Sequence, residues 1–152
     1  MYSLYSGVVN DPLELDRQLC FALAATSREV VRLYKPALAP LGITHPQYLV
    51  MLALWERSPM HLREIADRLH VEPATLSPLI GRLESAGLVT RTRNAGDPRA
   101  VDIALTDEGA ALRELATRVP EHVVARLGVP IERLERLRDE LTELLAAAER
   151  VD

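Results

Sequence analysis

The chain has 152 residues, of which 48% are hydrophobic, and its formal net charge is −4. This length allows one domain with a real core, and this hydrophobic content excludes a disordered chain. The longest apolar runs are far shorter than a membrane span, and the N-terminus lacks the basic start and apolar stretch of a secretory signal. The only cysteine, Cys20, has no partner for an internal disulfide, which favours a reducing cytoplasm.

The charge is unevenly distributed along the chain. From Arg57 to Arg99 there are seven arginines against five acidic residues, an excess of +2. From Thr106 to the C-terminus there are seven arginines against eleven acidic residues, a balance of −4. DNA affinity depends on local neutralisation of phosphates and not on the charge of the whole chain. The middle of the chain is therefore the part suited to a nucleic acid.

Two helices and a break are predicted in the first third of the chain. Apolar residues recur at helical spacing over Leu13–Tyr34, which predicts the first helix. The segment KPALAPLGITHP, with three prolines and a glycine, predicts a break. A second helix, capped by Thr44, runs through Trp55, and its nearly uniform apolar surface places it at the centre of the core.

Two shorter helices follow, joined by a tight connection at His70 and Val71. Pro73 suits the first position of the later helix, and Gly87 ends it. Both helices have apolar residues at helical spacing: Leu62, Ile65, Ala66 and Leu69 in the first, and Leu76, Leu79, Ile80 and Leu83 in the second.

The remaining segments predict a hairpin and further helices. LVTRTRNAGDPRAVDIALT alternates on both sides of a turn at residues 94–98, which is typical of a β-hairpin. A long helix begins at Thr106, and Val119-Pro120 kinks or divides it. The last helix begins near Pro130, and its apolar residues follow a three-four spacing. That seam covers about two and a half heptads, too short for a free-standing coiled coil, and it packs either within the chain or against a second subunit.

This order of elements describes a winged helix-turn-helix, a mainly α fold with a small β-hairpin wing. The second helix of the pair presents side chains to base edges in the major groove, and an arginine at a hairpin tip is attracted to a narrow minor groove. The candidate DNA-binding residues are Ala74, Thr75, Ser77, Pro78, Arg82, Arg91, Arg93, Asp97 and Arg99. The alternatives are solvated helix residues, an ordinary exposed strand face, and a weak surface ion pair between Asp97 and Arg99.

The segment LREIADRLHVEPATLSPLIGRLESAGLVTRTRNAGDPRAVDIALTDEG resembles the core of the MarR family of transcriptional regulators. The D-P-R of the hairpin, followed by alternating apolar residues and L-T-x-E-G, matches the wing of that family. The resemblance implies a single domain over residues 1–152. It places the winged helix-turn-helix at about 44–105 and dimerisation helices at about 12–35 and 106–151. It also implies a homodimer on an inverted-repeat DNA operator, with half-sites roughly 34 Å apart.

The N-terminal half resembles the organic hydroperoxide-responsive repressors, the OhrR subgroup, through L-C-F near the start of the first helix. The resemblance implies that Cys20 senses organic hydroperoxides, becomes a sulfenic acid and releases the DNA. A sulfenic acid condenses with a thiol, which must be a small external thiol because this chain has no second cysteine. Alternatively, Cys20 is a small hydrophobe in a core.

The chain departs from the subgroup at three positions. Tyr34 matches a tyrosine that holds the sensing sulfur across the dimer, but His45 and Ala24 stand where two other tyrosines are expected. His45 acts as a hydrogen-bond donor, as a cation that favours the thiolate, or as an inert exposed side chain. Gly81 replaces a basic residue, which removes a phosphate contact and weakens the helix by up to about 1 kcal/mol relative to Ala.

Three other functions compete with a thiol-switched repressor. The first is a MarR-type regulator gated by a small apolar or phenolic ligand. The second, a one-cysteine thiol peroxidase, needs activating hydrogen-bond donors that the sequence does not indicate, and the third is a structural adaptor. No metal, cofactor or membrane partner is predicted: His45, His61, His70 and His122 form no metal-ligand spacing, and no nucleotide-binding fingerprint is present.

Overall fold

The computed structural model describes residues 11–151, so the predicted absence of a signal over the first ten residues lies outside the described part. The helices are α1 (Leu19–Leu38), α2 (His45–Glu56), α3 (Leu62–Leu69), α4 (Pro73–Ser85), α5 (Asp107–Ala116), α6 (Arg118–Leu127) and α7 (Ile131–Glu149). The strands are β1 (Met60–His61), β2 (Val89–Arg93) and β3 (Val101–Leu105).

The first helix is shifted from its predicted position of Leu13–Tyr34. A short 3-10 turn at Leu15–Arg17 precedes α1, and α1 continues to Leu38 with Pro36 inside it. Pro36 has no backbone N–H, so α1 lacks one i→i−4 hydrogen bond there, two residues before its last residue. The predicted break therefore begins later, at a 3-10 turn that ends with Gly42 in the left-handed region at φ 71°.

The second helix forms the centre of the core, as predicted. Thr44 and Gln47 make a reciprocal capping box at its N-terminus, and Val50, Met51 and Leu54 are almost completely buried. At its other end, Trp55 Nε1 donates a hydrogen bond to the carbonyl of Gly109 at 2.9 Å, which fixes α5 against α2.

The helix-turn-helix is formed by α3 and α4. His70 adopts the left-handed conformation at φ 55° between the two helices, which confirms the tight connection. Leu76, Ile80 and Leu83 are fully buried, whereas Leu79 is only partly buried at the edge of the core.

The wing is part of a three-stranded antiparallel sheet with the order β1-β3-β2. The predicted hairpin is β2 and β3, which pair with Arg91 opposite Ile103. Sequence analysis missed β1, which pairs with the other edge of β3 through Met60 opposite Ile103. Met60 is buried, so this short strand ties the wing to the helical core.

The C-terminal half contains three helices. Thr106 caps α5 by accepting a hydrogen bond from the Gly109 N–H at 3.0 Å, and α5 and α6 are divided at Thr117, close to the predicted Val119-Pro120. No residue of α7 is buried. Three leucines of its seam remain 46%, 41% and 38% exposed: Leu137, Leu141 and Leu144. These three leucines are therefore not buried within the chain, whereas Leu134 of the same seam is partly buried.

Within residues 11–151 no single helix is long and apolar enough to cross a bilayer. Only α1 and α2 together reach the required length and composition, and they are bent by 67° at the break between them.

Two glycines provide a matched test of this packing. A Cβ at Gly109 would lie 2.0 Å from the Leu88 carbonyl oxygen, whereas a Cβ at Gly81 would meet only Arg91 Nη2, at an ordinary 3.5 Å. We expect Gly109→Ala to lower the free energy of unfolding by roughly 2–3 kcal/mol because backbone must move. Gly81→Ala should raise it by up to about 1 kcal/mol through helix propensity. Urea denaturation measures both, and equal effects would contradict the packing.

Candidate nucleic-acid interface and thiol site

The predicted reading face of α4 is open to solvent. Burial of Leu76, Ile80 and Leu83 fixes one side of α4 on the core. The candidate residues are then exposed or, for Ser77, partly exposed: Ala74, Thr75, Ser77, Pro78 and Arg82. Helix α4 is thus held rigidly with its N-terminal side chains available to a groove, as a recognition helix requires.

The tip of the wing is shaped by its own polar side chains. Asn94 Oδ1 accepts hydrogen bonds from the N–H groups of Gly96 at 2.8 Å and Asp97 at 3.1 Å. Asp97 Oδ1 accepts from the Arg99 N–H at 2.9 Å. The suggested ion pair between the Asp97 and Arg99 side chains is therefore wrong: Asp97 bonds the backbone of Arg99 and leaves its guanidinium unpaired.

The seven arginines between positions 57 and 99 fall into three groups. Arg57 and Arg68 form ion pairs with Glu64 and Glu56. Arg91 packs against α4. Within the described chain, the other four guanidinium groups have no hydrogen-bond or ion-pair partner: those of Arg63, Arg82, Arg93 and Arg99. These four positive charges are available to phosphate groups.

Arg91 joins the wing to the recognition helix. Its Nη2 donates to the Ser77 carbonyl at 3.2 Å, and its N–H donates to Glu84 Oε2 at 3.2 Å. Its Nε is buried without a partner. The guanidinium lies close to Gly81, where an added Cβ would be in ordinary contact with Nη2 at 3.5 Å. Of the hairpin arginines predicted to bind DNA, Arg91 is thus the one already engaged within the protein.

Cys20 is free and exposed, so it is not a small hydrophobe in the core of this chain. It is the second residue of α1, at a helix end where negative charge is stabilised. Tyr34 lies 14 positions later on the same helix, roughly 21 Å away at the rise of an α-helix. Cys20 and Tyr34 of one chain therefore cannot touch.

The residues expected to hold the sulfur form an aromatic cluster. The ring of Tyr34 lies 5.0 Å from that of His45 and 5.9 Å from that of Tyr48, and the Tyr48 and Trp55 rings are 6.4 Å apart. His45 is half-buried, not an exposed side chain, and burial lowers its pKa from the ordinary 6.5. The lowered pKa favours the neutral imidazole near pH 7 and argues against the predicted cationic role. Ala24 is exposed on α1.

A helix-turn-helix with an open reading face, flanked by a hydrogen-bonded wing with unpaired arginines, defines a DNA-binding protein of the winged helix-turn-helix class. The pattern of the MarR family matches residues 43–101. The chain is 41% identical over 135 residues to the organic hydroperoxide resistance transcriptional regulator of Bacillus subtilis, covering 89% of this chain and 92% of that protein. The chain therefore belongs to the MarR family of transcriptional regulators.

Solved structures share the same fold. Reduced AbfR bound to DNA is 35% identical, with a TM-score of 0.73 over 90% of this chain and 95% of that one. CouR from Rhodococcus jostii bound to p-coumaroyl-CoA is 27% identical, with a TM-score of 0.73 over 87% and 94%. These similar proteins and the family are regulators, not enzymes, so the thiol peroxidase interpretation is abandoned.

The burial of His45 predicts a pH effect on stability. Because its pKa is lowered in the folded state, the unfolded chain binds more protons between the lowered pKa and 6.5. Stability is therefore highest above pH 6.5 and falls as the pH drops through the lowered pKa. The free energy of unfolding is measured by urea titration at one pH above 6.5 and at one pH below the lowered pKa of His45. We expect His45→Gln and His45→Tyr to lose the part of the difference between the two pH values that His45 contributes. An unchanged difference between the two pH values would contradict the assignment.

Proposed function

We propose that the protein is a homodimeric repressor that binds an inverted-repeat operator and releases it when organic hydroperoxides oxidise Cys20. The observation that carries the switch is the position of Cys20: it is exposed, at the free start of α1, beside the exposed Leu19 and Leu23. A thiol there lies on a surface that a second subunit would cover, so its oxidation changes the chemistry of the proposed interface. A reversible thiol switch needs a reducing compartment, so we place the protein in the cytoplasm.

The dimer is supported by how little of the two longest helices, α1 and α7, is buried within the chain. Among the residues of α1 and α7, only Leu38 is buried within the chain. Burying a leucine side chain contributes about 1.5–3 kcal/mol, and contiguous exposed apolar surface marks interaction sites. The exposed leucines of the two helices are Leu19, Leu23, Leu137, Leu141, Leu144 and Leu145. A second copy of the same helices is the partner that the family resemblance implies.

The separation of about 21 Å between Cys20 and Tyr34 along α1 supports sensing across that dimer. Within one chain the sulfur cannot reach the Tyr34–His45 pair. A two-fold arrangement of α1 helices brings the start of one helix towards the end of the other. Tyr34 and neutral His45 then supply the hydrogen bonds that orient the thiol, without the two tyrosines that this chain lacks.

The hydroperoxide itself is the two-electron oxidant of Cys20, and no other oxidant is needed. The Cys20 thiolate attacks the terminal oxygen of the hydroperoxide, the O–O bond breaks, and the alkoxide leaves and takes up a proton as an alcohol. The sulfur, oxidised by two electrons, becomes a sulfenic acid. A small thiol then condenses with it to give a mixed disulfide and water. The added group lies between the subunits, where it alters the separation of the two α4 helices, roughly 34 Å on an operator.

A second candidate is gating by a small aromatic acid, with Cys20 as a bystander. A cavity of about 410 Å³ between α2 and α5–α6 is lined by Tyr48, Trp55 and Arg113, which suits a ring and a carboxylate. CouR, a protein of the same fold, binds a coenzyme A ester of an aromatic acid. Dependence of DNA release on the sulfur distinguishes the two candidates.

The dimer predicts an effect of charge on the α7 seam. We expect Leu141→Glu to convert the dimer to a monomer in sedimentation equilibrium, because it buries an unpaired carboxylate among leucines. Thr142→Glu, which adds the same charge at the adjacent exposed position, should remain a dimer. A monomeric wild type, or a dimeric Leu141→Glu variant, would count against the interface.

The thiol switch predicts a selective loss of response in Cys20→Ser. The wild-type protein should bind DNA from the region upstream of its own gene, and cumene hydroperoxide should weaken that binding by roughly tenfold or more, since coupling energies of 1–3 kcal/mol are usual. The Cys20→Ser variant should bind equally well and show no response. Release of the variant by hydroperoxide would remove Cys20 from the mechanism, and absence of wild-type binding at low salt would refute the repressor.

A further inference from the structure

A cleft of about 500 Å³ lies where the wing meets the N-terminal ends of α3 and α4. His61 and Arg63 line it from the β1–α3 side, Pro73 from the start of α4, and Asp97 and Arg99 from the tip of the wing. The cleft thus lies between the two elements that enter the grooves of DNA. Sequence analysis assigned no role to His61 or Arg63.

The charges lining the cleft suit an anion. The guanidinium groups of Arg63 and Arg99 have no partner in the described chain. Asp97 also lines the cleft, and its Oδ1 accepts a hydrogen bond from the backbone N–H of Arg99 at 2.9 Å. Because two guanidinium groups stand against the one carboxylate of Asp97, a net positive charge faces a cavity large enough for a tetrahedral phosphate.

One wall of the cleft is held by hydrogen bonds across the sheet. Asp102 Oδ1 pairs with His61 Nδ1, and Asp102 Oδ2 accepts from Asn94 Nδ2 at 3.0 Å. Because Asn94 also organises the tip, this chain of contacts fixes the wing at a set distance from the start of α3. The cleft is thus supported by the fold on both sides.

The position of the cleft between the wing and α4 identifies the anion as a phosphate of the DNA backbone. If α4 lies in the major groove and the wing in the adjacent minor groove, one phosphate backbone must cross the surface between them. We propose that this cleft binds a phosphodiester group of that backbone, with Arg63 as the cation that neutralises it and the His61–Asp102–Asn94 contacts holding the wing in place. The proposal rests on the DNA-binding function proposed above and assigns the residue that positions the duplex between the two reading elements.

The test compares two arginines of the same helix in the full-length protein. Arg63→Gln and Arg68→Gln each remove one positive charge from α3, but Arg68 is paired with Glu56 and does not line the cleft. Affinity is measured between about 50 and 200 mM KCl. The two probes are a duplex of about 30 base pairs from upstream of the gene and a scrambled duplex of the same composition.

A phosphate contact carries no sequence information. We expect Arg63→Gln to weaken binding to both duplexes by the same factor, roughly tenfold or more, and to reduce the salt slope by about 2 for a dimer that loses two contacts. Arg68→Gln should leave affinity and slope close to wild type, and Arg63→Lys should restore the slope because it keeps the charge.

Three results would overturn the assignment: equal effects of Arg63→Gln and Arg68→Gln, an unchanged salt slope, or a loss confined to the upstream duplex, which would indicate a base contact. A wild-type protein that binds neither duplex at the lowest salt would instead refute the proposed function itself. Unfolding by urea, measured for each variant, separates a lost contact from a lost fold.

Discussion

Two long helices that cannot bury their apolar faces within one chain impose the main constraint on this molecule. Helices α1 and α7 together bury only Leu38, whereas the shorter α2 buries six of its residues. The winged helix-turn-helix is complete within the chain, and the helices that flank it are not. The proposed association of two copies would cover both helices at once, and the interface so formed is where the proposed chemical signal would act.

Helix α1 is suited to carry such a signal because its two ends are held differently. Its C-terminal end is fixed: Leu38 is buried, and Tyr34 packs on His45 and Tyr48 at the start of α2. Its N-terminal end is exposed at Cys20, 18 positions before Leu38 and roughly 27 Å away. Helix α1 contacts α2 and α2 contacts α4, so contiguous packed elements connect α1 to the recognition helix.

Local sequence signals predicted the DNA-binding half of the fold well, because its elements have short-range causes. The cap at Thr44, the proline at position 73 and the alternation around the hairpin tip each depend on neighbours in sequence. Contacts between distant segments were not predictable in the same way. Strand β1 has two residues and exists only because β3 offers an edge, and Arg91 reaches the Ser77 carbonyl of α4 from 14 positions away in the sequence. The half-buried setting of His45 likewise depends on Tyr34 from another helix.

Pairing of charges explains how a chain with a net charge of −4 can bind a polyanion. In the DNA-binding half, acidic residues hold Arg57 and Arg68, while Arg63, Arg82, Arg93 and Arg99 remain without partners in the described structure. The excess of acidic residues lies after Thr106, in the helices assigned to the dimer. A duplex is therefore attracted to the unpaired arginines of the wing and of α3 and α4, and repelled by the acidic residues that follow Thr106. The same asymmetry that leaves the whole chain acidic favours approach of DNA to its arginine-rich segment before any base is read.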